Sequence, residues 1–240
     1  MSTDGLKRLW KTVFGDPDSF IDTFFDIAFS PERCRFIEEN GEVICALYWF
    51  DCEYEFGKLA YIYAVATHPN YRGKGLASQL LKDTHTHLKA LGYAGTVLKP
   101  AKGLFPFYER LGYVTSGHIR RFTAHAKHSP AEIKEVCAEE YGRLRRVYLP
   151  KNGIIQEGVT IAFLQTFARF YAAKDALLCI SRDEPVVFEY LGNPDSAPYI
   201  LAALGIKSAE ISTTGSDIPF AMFCPLNCTK TPGYLGISLE

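Results

Sequence analysis

The sequence predicts an α/β fold, because segments with the apolar period of a helix alternate with short apolar strands. Residues 58–67 are apolar on both faces, which is typical of a central strand that is covered on both sides. A basic turn that contains glycine follows. Residues 72–91 then carry leucines on or near one stripe of a helix that ends at Gly92. The centre of the predicted fold is therefore a strand that continues through a glycine turn into a helix.

Further elements flank this centre in the N-terminal half. Apolar residues at helical spacing and a start signal at residues 16–19 predict two helices, and a turn at residues 39–41 predicts a hairpin. The predicted elements are helices at 6–14 and from 20 to 27, strands at 35–38 and 43–51, a strand at 95–99, a short helix at 105–111 and a strand at 113–116.

A boundary is expected where the pattern breaks, at residues 142–153, which are basic and end in turn residues. This position predicts one domain over residues 1–145 and a smaller α/β domain over residues 146–240. Beyond the boundary we expect helices at 157–173 and 195–204, and strands at 176–181, 186–191, 209–213, 221–226 and 234–239.

Composition excludes several classes of function. The chain has 240 residues, 48% of them hydrophobic, with 26 Lys and Arg against 27 Asp and Glu. Charge so near balance argues against broad nucleic-acid binding, which needs a basic field. No stretch is long enough to cross a membrane, and the N-terminus lacks an apolar signal core. The seven cysteines are scattered. A soluble cytoplasmic protein without a nucleic-acid or membrane partner is therefore expected.

The glycine turn is a candidate anion site. Arg72, Gly75 and Ala77 fit the spacing Arg/Gln-x-x-Gly-x-Gly/Ala, and Lys74 adds a second positive charge. Glycine lets the backbone approach a ligand closely, and the helix that follows presents unpaired N–H groups and the positive end of its dipole. These residue types in this order predict a phosphate or pyrophosphate cradle.

A second motif identifies the anion. Residues 104–114 read Leu-Phe-Pro-Phe-Tyr-Glu-Arg-Leu-Gly-Tyr-Val, which is similar to the Phe-Tyr-Glu-Lys-x-Gly-Phe ending of GNAT proteins. Two motifs in this order, on these elements, resemble the GNAT superfamily of acetyl-CoA-dependent N-acetyltransferases over roughly residues 1–120. The resemblance implies the GNAT fold, a mixed sheet flanked by helices, with acetyl-CoA as co-substrate and no metal.

The resemblance also implies roles for single residues. In GNAT proteins the turn binds the CoA pyrophosphate, the preceding strand pairs with the pantetheine amides and supplies an N–H to the oxyanion, and a tyrosine protonates the departing thiolate. Tyr108 is the tyrosine here, with a reference pKa of about 10. The implied CoA-binding residues are Val65, Ala66, Thr67, Arg72, Gly73, Lys74, Gly75, Leu76 and Ala77.

The general base is open. Many GNAT enzymes carry a glutamate in the central strand, and the corresponding position here is Leu59. A second departure is Ala101, where many members have an asparagine. A primary amine is mostly protonated at pH 7, so a route for its proton is needed. The remaining candidates are Glu53, Glu55, His68, Tyr61, Tyr63 and a water chain.

The expected activity is transfer of acetyl to a primary amine by direct attack, with a small molecule as acceptor. A non-catalytic acyl-CoA-binding or sensor module and a protein or peptide N-acetyltransferase are the alternatives, and a homodimer is left open. The second half resembles the GNAT-like half of tandem-type bacterial acetyltransferases. It has no second Arg-x-x-Gly-x-Gly/Ala turn, so one CoA site is expected. The terminal carboxylate, which reaches the active site in those relatives, is expected to be structural here.

Other candidate groups have simpler interpretations. The pairs Cys224/Cys228 and His125/His128 lack the further ligands of a metal site. His85 and His87 point to different helix faces and are expected to be exposed. One basic cluster is interpreted as a solvated linker, and its members are Arg143, Arg145, Arg146 and Lys151. The aromatic residues of the central strands are explained equally well by packing and by an acceptor pocket, and they are Tyr48, Phe50, Tyr54, Phe56, Tyr61 and Tyr63.

Overall fold

The fold is given by a computed structural model that describes residues 3–239. The helices are α1 (Asp4–Phe14), α2 (Asp18–Ile27), α3 (Leu76–Ala90), α4 (Phe105–Glu109), α5 (Ala138–Tyr148), α6 (Val159–Leu164) and α7 (Ala197–Ala203). The strands are β1 (Cys34–Glu39), β2 (Glu42–Tyr54), β3 (Gly57–Thr67), β4 (Gly95–Leu98), β5 (Val114–His125), β6 (Ile133–Val136), β7 (Ala168–Ala173), β8 (Ala176–Ser181), β9 (Val186–Gly192), β10 (Ser208–Thr214) and β11 (Ile218–Pro225). None of these helices is both long and apolar enough to cross a membrane.

The chain forms two compact units. Unit 1 contains the chain up to Cys52, Phe56–Val114 and Phe223–Lys230. Unit 2 contains Glu53–Glu55, Thr115–Met222 and the described residues from Thr231 onward. The division expected at residues 145/146 falls inside helix α5, within unit 2.

Unit 1 holds a mixed sheet in the order β1-β2-β3-β4-β11. The hairpin β1–β2 is antiparallel, whereas β3 and β4 pair in parallel from Leu59↔Gly95 to Tyr61↔Val97. Helices α1 and α2 cover the sheet with a dense aromatic cluster, in which the ring of Trp10 lies 4.7 Å from that of Phe24 and 5.5 Å from that of Tyr48. This core confirms the predicted helices, hairpin and central strand.

Unit 2 also contains a mixed sheet, in which the strands follow the order β5-β10-β9-β8-β7-β6. Strands β9 and β10 are parallel, and the pairs β5–β10, β8–β9, β7–β8 and β6–β7 are antiparallel. Helix α7 buries Ile200 and Leu201 against Val187 of β9 and Ile211 of β10. The α/β class with a mixed sheet flanked by helices is therefore confirmed.

Two predicted elements of unit 2 are wrong. The helix expected at 157–173 is the short helix α6 followed by strand β7, in which Ala168 and Phe170 are buried while Arg169 is exposed. That alternation of period two fits a strand. Residues 234–239 are not a strand: Tyr234 makes an isolated bridge to Gly153, and the apolar side chains of the segment are buried without a regular partner strand. The expectation about the terminal carboxylate concerns Glu240, which lies outside the described residues.

The interpretation of residues 142–153 as a solvated linker is wrong for Arg145. Its side chain is 1% exposed and forms two hydrogen bonds to Glu189, at 2.7 and 2.9 Å. Arg145 also donates to the carbonyl oxygens of Ile154 and Leu235, while the Tyr141 hydroxyl donates to Glu189 at 2.7 Å. A buried charge is tolerated only when paired and hydrogen-bonded in this way. The network fastens α5, β9 and the C-terminal segment to one another.

Replacing Arg145 by Met should strongly destabilise unit 2. The change leaves the Glu189 carboxylate buried without its cation, which costs about 3–5 kcal/mol of unfolding free energy. Chemical denaturation measures this loss. Arg143→Met is the matched control, because Arg143 is an exposed residue of the same helix and its loss should cost at most about 0.5 kcal/mol. Equal stability of the two variants would contradict the assigned role of the network.

Candidate active site

Strand β3 changes conformation in its second half. Its register with β4 runs from Leu59 to Tyr61, and Ala64 lies beyond that register with a φ of 47°. A left-handed backbone at a residue other than glycine is rare within a strand and interrupts regular pairing. After Ala64, Val65 and Thr67 line a cavity, while Ala66 between them is buried. Beyond the register with β4, the strand thus places Val65 and Thr67 at the cavity, while the backbone that follows still bonds to β2 through the His68 N–H and the Ile44 carbonyl oxygen.

The glycine turn follows directly. Pro69–Tyr71 form one turn of 3₁₀ helix, and Arg72 returns to donate from Nε to the carbonyl oxygen of Thr67 at 3.3 Å. Gly73 and Gly75 have φ of 78° and 79°, and a Cβ at either would meet nothing within 4 Å. Both backbones are therefore open to a ligand. Gly75 is the N-cap of α3, so the first N–H groups of a 15-residue helix face the same opening.

A cavity of about 760 Å³ joins these features in unit 1. Most of the predicted site residues line it: Val65, Thr67, Arg72, Gly73, Gly75, Leu76, Ala77 and Tyr108. Two predicted residues do not. Ala66 is buried, and Lys74 is exposed with its Nζ 4.7 Å from the centre of the Tyr71 ring. The two sequence motifs therefore meet at one cavity.

The sequence did not single out half of the wall. Leu104, Phe107 and Leu111 line the cavity and lie in the second motif. Leu104 is four positions before Tyr108, Phe107 is one position before it, and Leu111 is three positions after it. Their spacing within the motif was a usable signal, because positions three and four apart share a face of a helical segment. Val13 and Phe14, at the end of α1, also line it. Nothing in their local sequence indicates this, because their position depends on how α1 packs.

Tyr108 is 6% exposed and stands against a polar network in the interior. Its ring lies 5.5 Å from that of Tyr113, edge to face. The Thr96 hydroxyl donates to the Tyr113 hydroxyl at 2.8 Å, and the Tyr113 hydroxyl lies 2.9 Å from His85 Nε2. All three groups are satisfied when Tyr113 donates to a neutral His85. The expectation that His85 is exposed is wrong, and burial lowers its pKa to about 4.

The five side chains considered as general base do not line the cavity. Glu53 and Glu55 are exposed, and Tyr61 and Tyr63 are buried among the aromatic residues of unit 1. His68 Nδ1 accepts from the Asn70 N–H at 3.3 Å. None of the five is among the described residues that line the cavity, where the charged side chains are Arg72 and Arg110.

The aromatics of the central strands are mainly packing residues. Tyr48, Phe50, Tyr54, Tyr61 and Tyr63 are all buried, whereas Phe56 is 40% exposed. The two cysteines considered as metal ligands have other neighbours. Cys224 Sγ lies 4.0 Å from His85 Nδ1, and Cys228 Sγ accepts from the Lys230 N–H. Within residues 3–239 no three His, Cys, Asp or Glu side chains are grouped as metal ligands would be.

Comparison with known families is decisive for the first half of the chain. The acetyltransferase (GNAT) domain family matches residues 2–115. Residues 2–115 are a GNAT acetyltransferase domain. The expectation of a GNAT-type acyltransferase with acetyl-CoA as co-substrate is thereby confirmed at the level of the family. No curated protein sequence matches the chain significantly.

Solved structures share the fold of nearly the whole chain. A GCN5-related N-acetyltransferase from Kribbella flavida superposes with a TM-score of 0.70 at 17% identity, over 93% of this chain and 68% of that one. A probable N-acyltransferase from Enterococcus faecalis superposes with a TM-score of 0.68 at 17% identity, over 95% of this chain and 72% of that one. A GCN5-related N-acetyltransferase from Anabaena variabilis superposes with a TM-score of 0.65 at 16% identity, over 92% of this chain and 70% of that one. The GNAT domain and the residues that follow it thus adopt a fold found in other acetyltransferases.

The buried network behind Tyr108 makes stability depend on pH. The unfolded chain protonates His85 near pH 6.5, whereas the folded chain resists protonation until about pH 4. The unfolding free energy therefore decreases as the pH falls from 6.5 to 4, by an amount on the order of 3 kcal/mol. His85→Gln should lack this part of the dependence, as measured by denaturation at several pH values. His128→Gln, at an exposed position, is the control and should follow the wild type. Parallel curves for wild type and His85→Gln would contradict the assignment.

Proposed function

We propose that the protein transfers the acetyl group of acetyl-CoA to a primary amine of a small molecule by direct attack. The observation that carries the proposal is the meeting of the glycine turn, the end of β3 and Tyr108 at one cavity. A cavity of about 760 Å³ lies in the size range of small-molecule sites. The cytoplasmic location and the homodimer stay predictions.

The turn is the proposed site of the CoA pyrophosphate. Gly73 and Gly75 leave room for an anion at the backbone, and the N-terminus of α3 supplies N–H groups and the positive end of the helix dipole. Arg72 and Lys74 add positive charge beside them. Leu76 and Ala77, in the first turn of α3, complete this end of the cavity.

The end of β3 is the proposed site of the pantetheine arm. An extended ligand adds to a strand through main-chain hydrogen bonds, and residues 65–67 lie beyond the register with β4. An N–H near Val65 would stabilise the oxyanion that forms when the amine attacks the thioester. In our proposal, the tetrahedral intermediate then breaks its C–S bond, and the Tyr108 hydroxyl gives its proton to the departing sulfur. The nitrogen loses a proton to water, and water returns a proton to the Tyr108 phenolate, which restores the hydroxyl.

Tyr108→Phe should lower kcat by about 10²–10⁴-fold, the usual contribution of a general acid. The ring that packs on Tyr113 is retained, so the affinity for acetyl-CoA and the melting temperature should change little. Product formation with a panel of amines measures the first effect, and calorimetry the second. Unchanged turnover would remove Tyr108 from the mechanism.

The wild type distinguishes the alternative functions. Binding of acetyl-CoA without turnover of any amine would favour a sensor module, and turnover of peptides alone would favour a protein acetyltransferase.

Gly73→Ala should weaken acetyl-CoA binding by about tenfold, because the added methyl group occupies the space proposed for the pyrophosphate. The strain of a side chain at positive φ, about 1–2 kcal/mol, lowers the stability of the folded chain whether or not acetyl-CoA is bound. Gly41→Ala is the matched control. Gly41 has a φ of 79° and equally open surroundings, but it lies in the turn between β1 and β2. The control should lose stability without losing affinity. Equal affinities for the two variants, measured by calorimetry, would place the cofactor elsewhere.

A further inference from the structure

The wall of the cavity is divided by chemistry. One end carries the glycine turn, Arg72 and the start of α3, which suit phosphates. The rest is largely apolar, with Val13, Phe14, Leu104, Phe107 and Leu111 on the wall. Phe14 and Leu104 leave 44% and 43% of their surface in water, although both are large apolar side chains. Covering such surfaces with an apolar ligand is favourable.

Phe14 is held at this place by its helix. It is the last residue of α1, which ends at Gly15 in a left-handed conformation. Its ring meets that of the buried Trp10 edge to face, with 5.7 Å between the ring centres. The Trp10 indole in turn donates to Asp16 at 2.7 Å. A fixed aromatic ring at the wall of a cavity is a suitable surface for another ring.

The charged groups of the wall are cations. Among the described residues that line the cavity, these are Arg72 and Arg110, and the other polar side chains are hydroxyl groups. A protonated amine that enters the apolar part of the cavity gives up its hydration, and no carboxylate among the described lining residues compensates for this loss. A neutral amine loses much less hydration energy than a protonated one, and its nitrogen lone pair is free for attack.

We infer that the acceptor is a weakly basic aromatic amine, which is neutral at pH 7 and stacks on the apolar wall at Phe14. This inference rests on the proposed acetyl transfer. The nitrogen lone pair attacks the thioester carbon, the C–S bond breaks, and sulfur takes a proton as described above. The nitrogen loses one proton to water once the C–N bond forms. An alkylamine of pKa about 10.4 would instead have to lose a proton before attack.

The experiment compares two isomeric acceptors, 4-methylaniline and benzylamine, which share a ring and a molecular formula. At pH 7 the wild type should acetylate 4-methylaniline with a kcat/KM at least about tenfold higher, because only the alkylamine is mostly protonated. From pH 6 to 8.5, kcat/KM should stay flat for 4-methylaniline and rise about tenfold per pH unit for benzylamine. Chromatography of the acetylated product measures both. Equal or better use of benzylamine at pH 7 overturns the inference.

A variant tests the place of the ring. Phe14→Ser should raise the KM for 4-methylaniline about tenfold and leave the Kd of acetyl-CoA within about twofold of the wild type. Leu91→Ser is the control, since Leu91 is 59% exposed at the end of α3 and does not line the cavity. A matching loss of acetyl-CoA affinity in Phe14→Ser would show that the cofactor covers Phe14 and overturns the inference. The comparison of amines uses the wild type alone, so it stands even if Phe14→Ser fails to fold.

Failure of the inference and failure of the proposed function give different results. If neither isomer is acetylated but other amines are, the acceptor class is wrong and the transferase stands. If acetyl-CoA does not bind at all, as judged by calorimetry and by the thermal shift of the wild type, both fall together.

Discussion

The candidate site depends on one backbone constraint, the change of conformation in β3 at Ala64. Up to Tyr61 the strand is an ordinary member of a parallel pair. At Ala64 the chain adopts a φ of 47°, and Val65 and Thr67 beyond it line a cavity. Since a β-strand has fixed hydrogen-bonding directions, such an interruption is needed for one strand to serve both the core and a ligand. The positive φ angles of Gly73 and Gly75 continue this departure into the turn.

Buried polar networks hold each unit in shape around such irregular backbone. In unit 2, Arg145 and Glu189 join helix α5, strand β9 and the irregular segment after β11. In unit 1, His85, Tyr113 and Thr96 support the ring of Tyr108 from behind. Both networks work because each buried group has a partner, and removal of one member leaves another unsatisfied. A proposed catalytic group is thus positioned by residues that do not line the cavity.

Where the sequence predicted the structure well, the signal was local. The glycine turn and the residues 104–114 carry their conformations in short patterns of residue type, and both lie at the cavity as expected. The errors arose where long-range contacts decide. Arg145 looks like one of several surface arginines until Glu189, distant in sequence, is placed beside it. Strand β7 continues an apolar pattern that begins in a helix, and only its pairing with β6 and β8 shows its period.

The sequence by itself determined that residues 2–115 form a GNAT domain, and it predicted the donor side: a turn that we propose binds CoA and a tyrosine that we propose protonates the leaving thiolate. It could do so because cofactor recognition uses backbone geometry, which glycines and helix starts encode over a few residues. Only the tertiary structure decided the rest of the cavity. It placed Phe14 on the wall and buried Tyr61 and Tyr63 in the core of unit 1. The physical reason is that the wall of a cavity is built by residues far apart in the chain, whose meeting depends on packing.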